Sequence, residues 1–335
     1  MAEQDPLFTL DQLLIVRAIA QHGSFRRAAD SLYLSQPAVS LQVQNLERQL
    51  GVVLFNRGGR QVYITEAGQT LVEYGDRILK LCQEARRALT DLDEMKRGIL
   101  LLGASQTVGT YVMPQLIGQF WHRYPQISVQ LLVQSTRRVA HKLVSGELDL
   151  AIVGGEIPTE LRPRLTVTPF AQDQFVLVTA REHPHGIDLL AQRDPELDPI
   201  PLVVADLSQL RYISLDAQSS TRQTLDRALH KAGVDPATLR SSVELSSIEA
   251  IKRAVQAGLG VAFLSRSAVK PELDRGDLIQ LPVAGLEVKR ILWLAYNPDR
   301  YQSRAAHLFR DGLLTGSDWV KTPLPLIEPF LELEI

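Results

Sequence analysis

The run Ser35-Gln36-Pro37-Ala38-Val39-Ser40-Leu41-Gln42-Val43-Gln44 carries side chains suited to reading the edges of bases, not to breaking bonds. A glutamine amide can pair in a bidentate way with adenine, while Pro, Ala and Leu can pack on a thymine methyl. On a helical wheel Val39, Val43, Leu46 and Leu50 fall on one apolar stripe. Pro37, Ser40, Leu41, Gln44 and Arg48 then occupy the opposite face, with Gln36 and Ala38 projecting at the N-terminal end. A second group consists of hydroxyl-rich loops that each follow a predicted strand and open a helix. They are Ser105-Gln106-Thr107, Thr136-Arg137-Arg138, Ser219-Ser220-Thr221-Arg222 and Ser246-Ser247. Backbone N–H groups at a helix start favour anions, and two of these starts carry arginine, which points to a carboxylate or phosphate ligand. Taken singly, each loop also reads as a plain helix cap.

Other chemistries find no footing. Gly103-Ala104-Ser105 lacks the second glycine of a nucleophile elbow, since Thr107 stands in its place. The seven histidines lack zinc-site spacing. Gly258-Leu259-Gly260 lacks the rest of a dinucleotide fingerprint. Cys82 is the sole cysteine, which excludes a disulfide framework and a cysteine-based metal cage; it reads as a half-buried filler beside a helical seam. No catalytic residue, metal or cofactor is therefore expected. The net charge of −2 argues for no nucleic-acid partner by itself. Between positions 17 and 60, however, six arginines face only Asp30 and Glu47, a local +4 that could make a phosphate footprint. The first residues show no positive start and no apolar h-region, and no apolar run has membrane-spanning length, so a cytoplasmic protein without a membrane partner is expected.

Elements must position these residues, and the caps announce them. Thr9 and Gln12 form a capping box for a first helix ending at Gly23. Ser24 caps a short second helix that buries Phe25, Ala28, Ala29 and Leu32. Ser35 caps a third over 36–49, with Pro37 in its first turn. Val52–Phe55 and Gln61–Ile64 read as a hairpin around Asn56-Arg57-Gly58-Gly59-Arg60, a wing whose arginines can reach phosphate. Thr65 caps a long helix to about Lys96 whose apolar positions, from Ala67 through Leu71, Tyr74, Ile78, Leu81, Ala85, Ala88 and Leu92 to Met95, repeat at four and three. That is a heptad seam, which the small domain before it cannot bury and a partner chain can. From Ile99 onward strands and helices alternate, with strands at 99–102, 128–133, 148–153, from about 174 to 179, 211–215, 242–245, 261–265 and 291–296. This is the pattern of a parallel α/β sheet with ligands at its strand ends.

The segment GSFRRAADSLYLSQPAVSLQVQNLERQLGVVLFNRGGRQVYITEAG resembles the DNA-binding domain of the LysR-type transcriptional regulators, in its S-Q-P-A-V-S turn, its N-L-E and its L-F-x-R-x-x-R…T-x-A-G wing. The resemblance implies a multidomain fold. A winged helix-turn-helix (1–65, all-α with a β-hairpin wing) precedes a dimerisation helix (66–97). A two-lobed α/β effector domain like a type 2 periplasmic binding protein (98–312) and a Pro-rich tail (313–335) follow. It implies that Gln36, Pro37, Ala38, Ser40, Leu41 and Gln44 face the major groove of a pseudo-palindromic operator, and that Ser24, Ser35, Arg57, Arg60 and Thr65 hold the backbone. Leu41 stands where many members carry arginine. The resemblance also gathers Ser105, Gln106, Thr107, Thr136, Arg137, Ser219, Thr221, Arg222 and Ser247 around one cleft. A homodimer that pairs into a tetramer is expected, with RNA polymerase a further candidate partner. The stretches GASQTVGTY, QSTRR…GELDLAIVGGE and ELSSIEAIKRAVQAGLG resemble the branch of the family that controls carbon-fixation (RuBisCO) genes in oxygenic phototrophs and plastids. This implies as effector a phosphorylated carbon-fixation or photorespiratory metabolite, or NADPH. Regulators of inorganic-carbon uptake or nitrogen assimilation share most of these features. A solute-binding protein would share the two lobes but would not carry the winged helix.

Overall fold

Thr9 opens the first helix as its capping box requires: its hydroxyl accepts from the Gln12 N–H while Gln12 Oε1 accepts from the Thr9 N–H. The computed structural model describes residues 8–56, 62–93, 98–183, 201–231, 233–315 and 328–329, which fall into two compact units dividing at Leu89 and Thr90.

In the N-terminal unit, helices α1 (Leu10–His22), α2 (Phe25–Ser31) and α3 (Gln36–Leu50) pack around Ile19, Ala28, Val39 and Leu46, all fully buried. Gly23 and Gly51 end α1 and α3 in the left-handed conformation that glycine adopts without steric cost. Tyr33 takes a positive φ of 55° in the turn between α2 and α3, a strained choice for a residue with a Cβ, and is 97% exposed. The wing is a minimal hairpin of β1 (Phe55–Asn56) and β2 (Tyr63–Ile64), paired Phe55 to Ile64 and Asn56 to Tyr63. Glu47, near the end of α3, reaches across to accept from the backbone N–H groups of Leu54 and Phe55. Helix α4 (Glu66–Asp93) follows.

The seam expected along α4 is divided between two uses. Leu71 and Leu79 are buried in the unit's own core, with Ala67, Val72 and Ile78 beside them, whereas Tyr74, Leu81 and Leu89 stay more than half exposed. The reason is close approach: Gly75 lets the helix lie against Leu13. Cys82 is exposed and not a half-buried filler, because it lies off the packed stripe.

In the C-terminal unit, β3 (Gly98–Ala104) runs parallel to β4 (Ile127–Val133) and to β5 (Leu150–Val153). Helices α5 (Met113–Arg123), α6 (Thr136–Val144) and α10 (Arg304–Thr315) cover these strands. Phe120 and Phe309 meet edge to face, 5.1 Å apart, in the core between α5 and α10. Two long strands, β6 (Thr166–Ala180) and β11 (Val288–Tyr296), pair antiparallel and carry the chain between this first lobe and a second. The second lobe adds β7 (Arg211–Leu215) and β8 (Arg240–Leu245), paired parallel, with α7 (Ser220–Lys231) and α8 (Ile248–Gln256). It is completed by β9 (Ala262–Ser265), α9 (Arg266–Arg275) and β10 (Leu278–Gln280), the last and β9 both pairing with β6. β11 also pairs with β5, which returns the chain to the first lobe.

The structure departs from the sequence expectation in several places. The loop after β3 is helical from Gln106, and residues Val108–Val112 form a π-helical turn ahead of α5. The strand expected from 174 begins at Thr166, because one strand serves both lobes. Helix α9 went unforeseen since Pro271 lies inside it. Helix α10 continues to Thr315, past the expected domain end at 312. From the tail, Glu328–Pro329 (β12) pairs with Gln172 and Ala171 of β6; the rest of 316–335 lies outside the described residues, as do residues 193–200 of RDPELDPIPLVVADL (193–207), a stretch whose prolines and aspartates read as a surface insertion.

A Cβ on Gly68 would sit 2.3 Å from the Leu54 carbonyl oxygen and 2.7 Å from Ile64 Cγ1, where backbone cannot yield, whereas Gly118 in α5 faces open space. Gly68→Ala should therefore destabilise the N-terminal unit by about 1–3 kcal/mol. Gly118→Ala should stabilise the helix it sits in by about 0.5–1 kcal/mol. Urea unfolding midpoints of the two variants should move in opposite directions.

Candidate functional site

The first surface is built by α3. Its buried face of Val39, Val43 and Leu46 leaves Gln36, Pro37, Ala38, Leu41, Gln44 and Arg48 exposed together on the other side, with Ser40 half-buried and accepting from Gln36 Nε2 at 3.5 Å. Leu41 is 57% exposed, a large apolar side chain turned toward solvent. Ser24 and Ser35 accept the N–H groups of Arg27 and Ala38 as N-caps, which uses a lone pair and leaves each hydroxyl proton free for a phosphate oxygen. Thr65 differs. Its oxygen accepts from Gly68 N–H at 3.0 Å while its proton is directed back to the Val53 and Leu54 carbonyls, so it has no donor left to offer. Arg57 and Arg60 lie outside the described residues.

The second site lies where β6 and β11 cross between the lobes. Arg290 and Asp173 are 6% and 3% exposed, and Arg290 Nε donates to Asp173 Oδ2 at 2.9 Å. Nη2 comes within 2.7 Å of the same oxygen but off the hydrogen-bond direction, so its donors are not used up. Asp173 Oδ1 accepts from Ser265, the guanidinium lies over the Phe175 ring, and Nη1 donates to Thr221 Oγ1. Thr221 stands in the first turn of α7 and meets Thr107 of the first lobe at 3.4 Å. A third hydroxyl, Thr136 at the start of α6, is 3% exposed and has no hydrogen-bond partner. The Gly154-Gly155 turn after β5 closes this cluster. A Cβ on Gly155 would lie 2.7 Å from Ser220 and 2.8 Å from Thr136 Oγ1, and one on Gly154 would lie 3.0 Å from the Arg290 guanidinium. Ser105 holds that turn by accepting from the Gly154 N–H at 3.1 Å.

Two further bridges join the lobes. Arg227 pairs with Glu156 at the exposed rim. Tyr111 donates to Glu249 at 2.5 Å, and burial followed by that carboxylate pushes the phenol far above the usual tyrosine range. The same bond, helped by Lys252, holds the Glu249 carboxyl below its ordinary value.

Of the residues expected around one cleft, Ser105, Thr107, Thr136 and Thr221 are buried and brought together with Gly155 and Ser220, and Ser219 is half-buried just before α7. The others have separate engagements. Gln106 is exposed, Arg137 is exposed and paired with Glu160, and Ser247 is an exposed cap accepting from Ala250. Arg222 is bonded to Asp226 and to the Leu215 carbonyl within its own lobe. Arg290 and Asp173 escaped notice because charged residues within strands suggest a solvent face. Yet Arg290 shares the two-residue phase of Val288, Leu292 and Leu294, as Asp173 does that of Ala171 and Phe175. Among the described residues no cluster of His, Cys, Asp or Glu could hold a metal, and no helix is long and apolar enough to cross a membrane.

A helix-turn-helix with a wing, followed by two α/β lobes closed on a polar cluster, defines a ligand-responsive DNA-binding regulator. Residues 10–69 match the bacterial regulatory helix-turn-helix model of the LysR family, and 93–317 match the LysR substrate-binding domain. The chain belongs to the LysR family of transcriptional regulators. A relative in Trichormus variabilis, described as a probable RuBisCO transcriptional regulator, is 49% identical over 331 residues, covering 98% of this chain and 95% of its own. The regulatory domain of Synechocystis PCC6803 CcmR, solved in complex with 2-PG, is 29% identical with a TM-score of 0.55, covering 66% of this chain and 98% of that one. Full-length CbnR in complex with its target DNA gives a TM-score of 0.67 over 92% of this chain and 100% of that one; at 20% identity this likeness speaks for the fold.

Removing one partner of a buried ion pair leaves an uncompensated charge, at a cost of about 3–5 kcal/mol. Arg290→Met should thus lower the melting temperature strongly, and adding Asp173→Leu should restore most of it. Scanning calorimetry on the two variants checks this.

Proposed function

We propose that this regulator controls carbon-fixation genes, those of RuBisCO among them, in response to a small phosphorylated metabolite bound between its lobes. The observation that carries the effector reading is the buried, unpartnered hydroxyl of Thr136 beside an arginine with donors to spare. A phosphate dianion would accept from Arg290 Nη2, from Thr136 and Ser220, and from the first N–H groups of α7, which favour an anion. The 2-PG complex of the related CcmR domain supports a ligand of this class, with other phosphorylated carbon-fixation intermediates and NADPH as further candidates. The gene assignment rests on near-full-length identity to relatives described as probable RuBisCO regulators. The Ser105, Thr107, Ser219 and Thr221 group lines the site, with Gln106, Arg137, Arg222 and Ser247 at its periphery.

On the DNA side, Gln36, Pro37, Ala38, Ser40, Leu41 and Gln44 meet base edges in the major groove. Ser24, Ser35, Arg57, Arg60 and Thr65 flank them at the backbone, Thr65 as a positioning cap. Domains of 1–65, 66–97 and 98–312, with the last helix running on to Thr315 into the tail of 313–335, describe this division of labour. The exposed Tyr74 and Leu81 of α4 are the partner-facing part of its seam, as in a two-fold dimer on a pseudo-palindromic site; two dimers form a tetramer, and RNA polymerase is the further partner. The working compartment is the cytoplasm.

Calorimetric titration of the full chain with 2-PG tests the effector reading. Thr136→Val should weaken binding at least about tenfold by removing one charge-assisted hydrogen bond, and unchanged affinity would refute the site. Gln36→Ala should cost about 1–3 kcal/mol at one operator base pair, while Arg57→Ala should weaken binding to all sequences and reduce the salt slope. Sequencing of DNA fragments bound by the tagged chain should place sites upstream of the RuBisCO genes; sites confined to transport or nitrogen genes would sink the gene assignment.

A further inference from the structure

The contacts that hold the lobes together are unequal. Thr107 and Thr221 share a neutral hydroxyl contact at 3.4 Å. The Arg227–Glu156 pair has side chains 46% and 75% exposed, where solvent screens it and such pairs contribute little. Tyr111 is different in kind. It leaves its own lobe from the π-helical turn Val108–Val112, a rare conformation that recurs at functional positions in helices. Its ring packs against the second-lobe core that contains Ile248, Ile251 and Val255. Its hydroxyl donates to Glu249, and the Lys252 ammonium lies 5.2 Å from the ring centroid. Lys252 is itself buried, fixed between Glu249 at 3.2 Å and Glu272 at 2.9 Å. One side chain of the first lobe thus contributes a charge-assisted hydrogen bond, a cation–π contact and apolar packing to a rigid charged cluster in the second.

We infer that Tyr111 is the latch of the effector domain, whose release from Glu249 and Lys252 sets how often the lobes part in the ligand-free chain. This goes beyond the effector reading and holds whichever ligand enters. Tyr111 also lies four residues after Thr107 on one helical segment, so the segment that lines the cleft and the latch move as one piece.

The test measures lobe separation directly. In the full chain with Cys82→Ser, cysteines at the exposed Thr159 and Ala217 carry spin labels, one per lobe. Labelled chain is diluted with unlabelled chain so that distances within one copy dominate the dipolar spectroscopy. Tyr111→Phe removes one oxygen and keeps the ring. It should raise the ratio of the longer-distance to the shorter-distance population roughly tenfold, the scale of one lost hydrogen bond to a charged group. Glu249→Ala should shift it in the same direction, and the double variant should fall short of the sum of the two, because both changes remove the Tyr111–Glu249 bond while Glu249→Ala also releases one anchor of Lys252. Glu156→Gln should shift the ratio less than about twofold, as befits an exposed pair. Hydrogen exchange at Val108–Val112 and in α8, faster in Tyr111→Phe while the sheet of the first lobe stays protected, separates unlatching from unfolding. An unchanged distance distribution in Tyr111→Phe, additive effects in the double variant, or an equal shift in Glu156→Gln would each overturn the assignment.

Discussion

An arginine and an aspartate face each other where β6 and β11 cross between the lobes, and water has almost no access to either. Desolvating two charges costs several kcal/mol per ion, which mutual attraction repays only when the remaining donors and acceptors are also used. Here Asp173 is shared between Arg290 and Ser265, and Arg290 reaches on to Thr221 in the first turn of α7. The pair therefore fixes two crossing strands and the start of the cleft-lining helix at one point. The Gly154-Gly155 turn can lie against it because neither residue has a side chain to collide with the guanidinium or with Ser220. What is left unfinished is small: a hydroxyl at Thr136 and part of one guanidinium. A rigid frame with a little unspent hydrogen-bonding capacity at its centre suits the effector reading proposed above, in which a small anion supplies the missing partners.

The N-terminal unit solves a different problem, that of presenting polar groups without letting them collapse onto the protein. Its caps do this by the direction in which they bond. Ser24 and Ser35 accept from backbone and leave their protons unspent, whereas Thr65 spends its proton inward to join α4 to the segment before the wing. Strain at Tyr33 belongs to the same design, since the turn into α3 needs a left-handed residue there and the side chain pays for it by full exposure.

Much of this was legible in the sequence because it rests on local chemistry. The capping box at Thr9 and Gln12, the caps Ser24, Ser35 and Ser247, and the closing glycine at 23 are read from neighbours a turn away, and each is found in place. The alternation of strands and helices after Ile99 gave the α/β class for the same reason. Long-range relations were hidden. That one strand from Thr166 to Ala180 serves two lobes depends on a partner more than a hundred residues later. The cleft was half visible: Thr136 and Thr221 stood at helix starts where capping and binding look alike, and their convergence came from a family likeness. Arg290 and Asp173 needed attention to phase, since a charged residue in step with buried neighbours is a buried charge. Arg222 and Arg137 misled in the opposite way, because an arginine at a helix start says nothing about the acid, Asp226 or Glu160, that engages it.

Glu47 ties the end of α3 to the N–H groups that begin the wing. Helix α3 and the start of the wing are thereby one mechanical part, and a rotation of the one must carry the other with it. Residues between Gln36 and Gln44 can be replaced one by one without disturbing that linkage, because the joint lies beyond them. A transplanted helix that includes position 47 brings its own joint to the wing along with its exposed face.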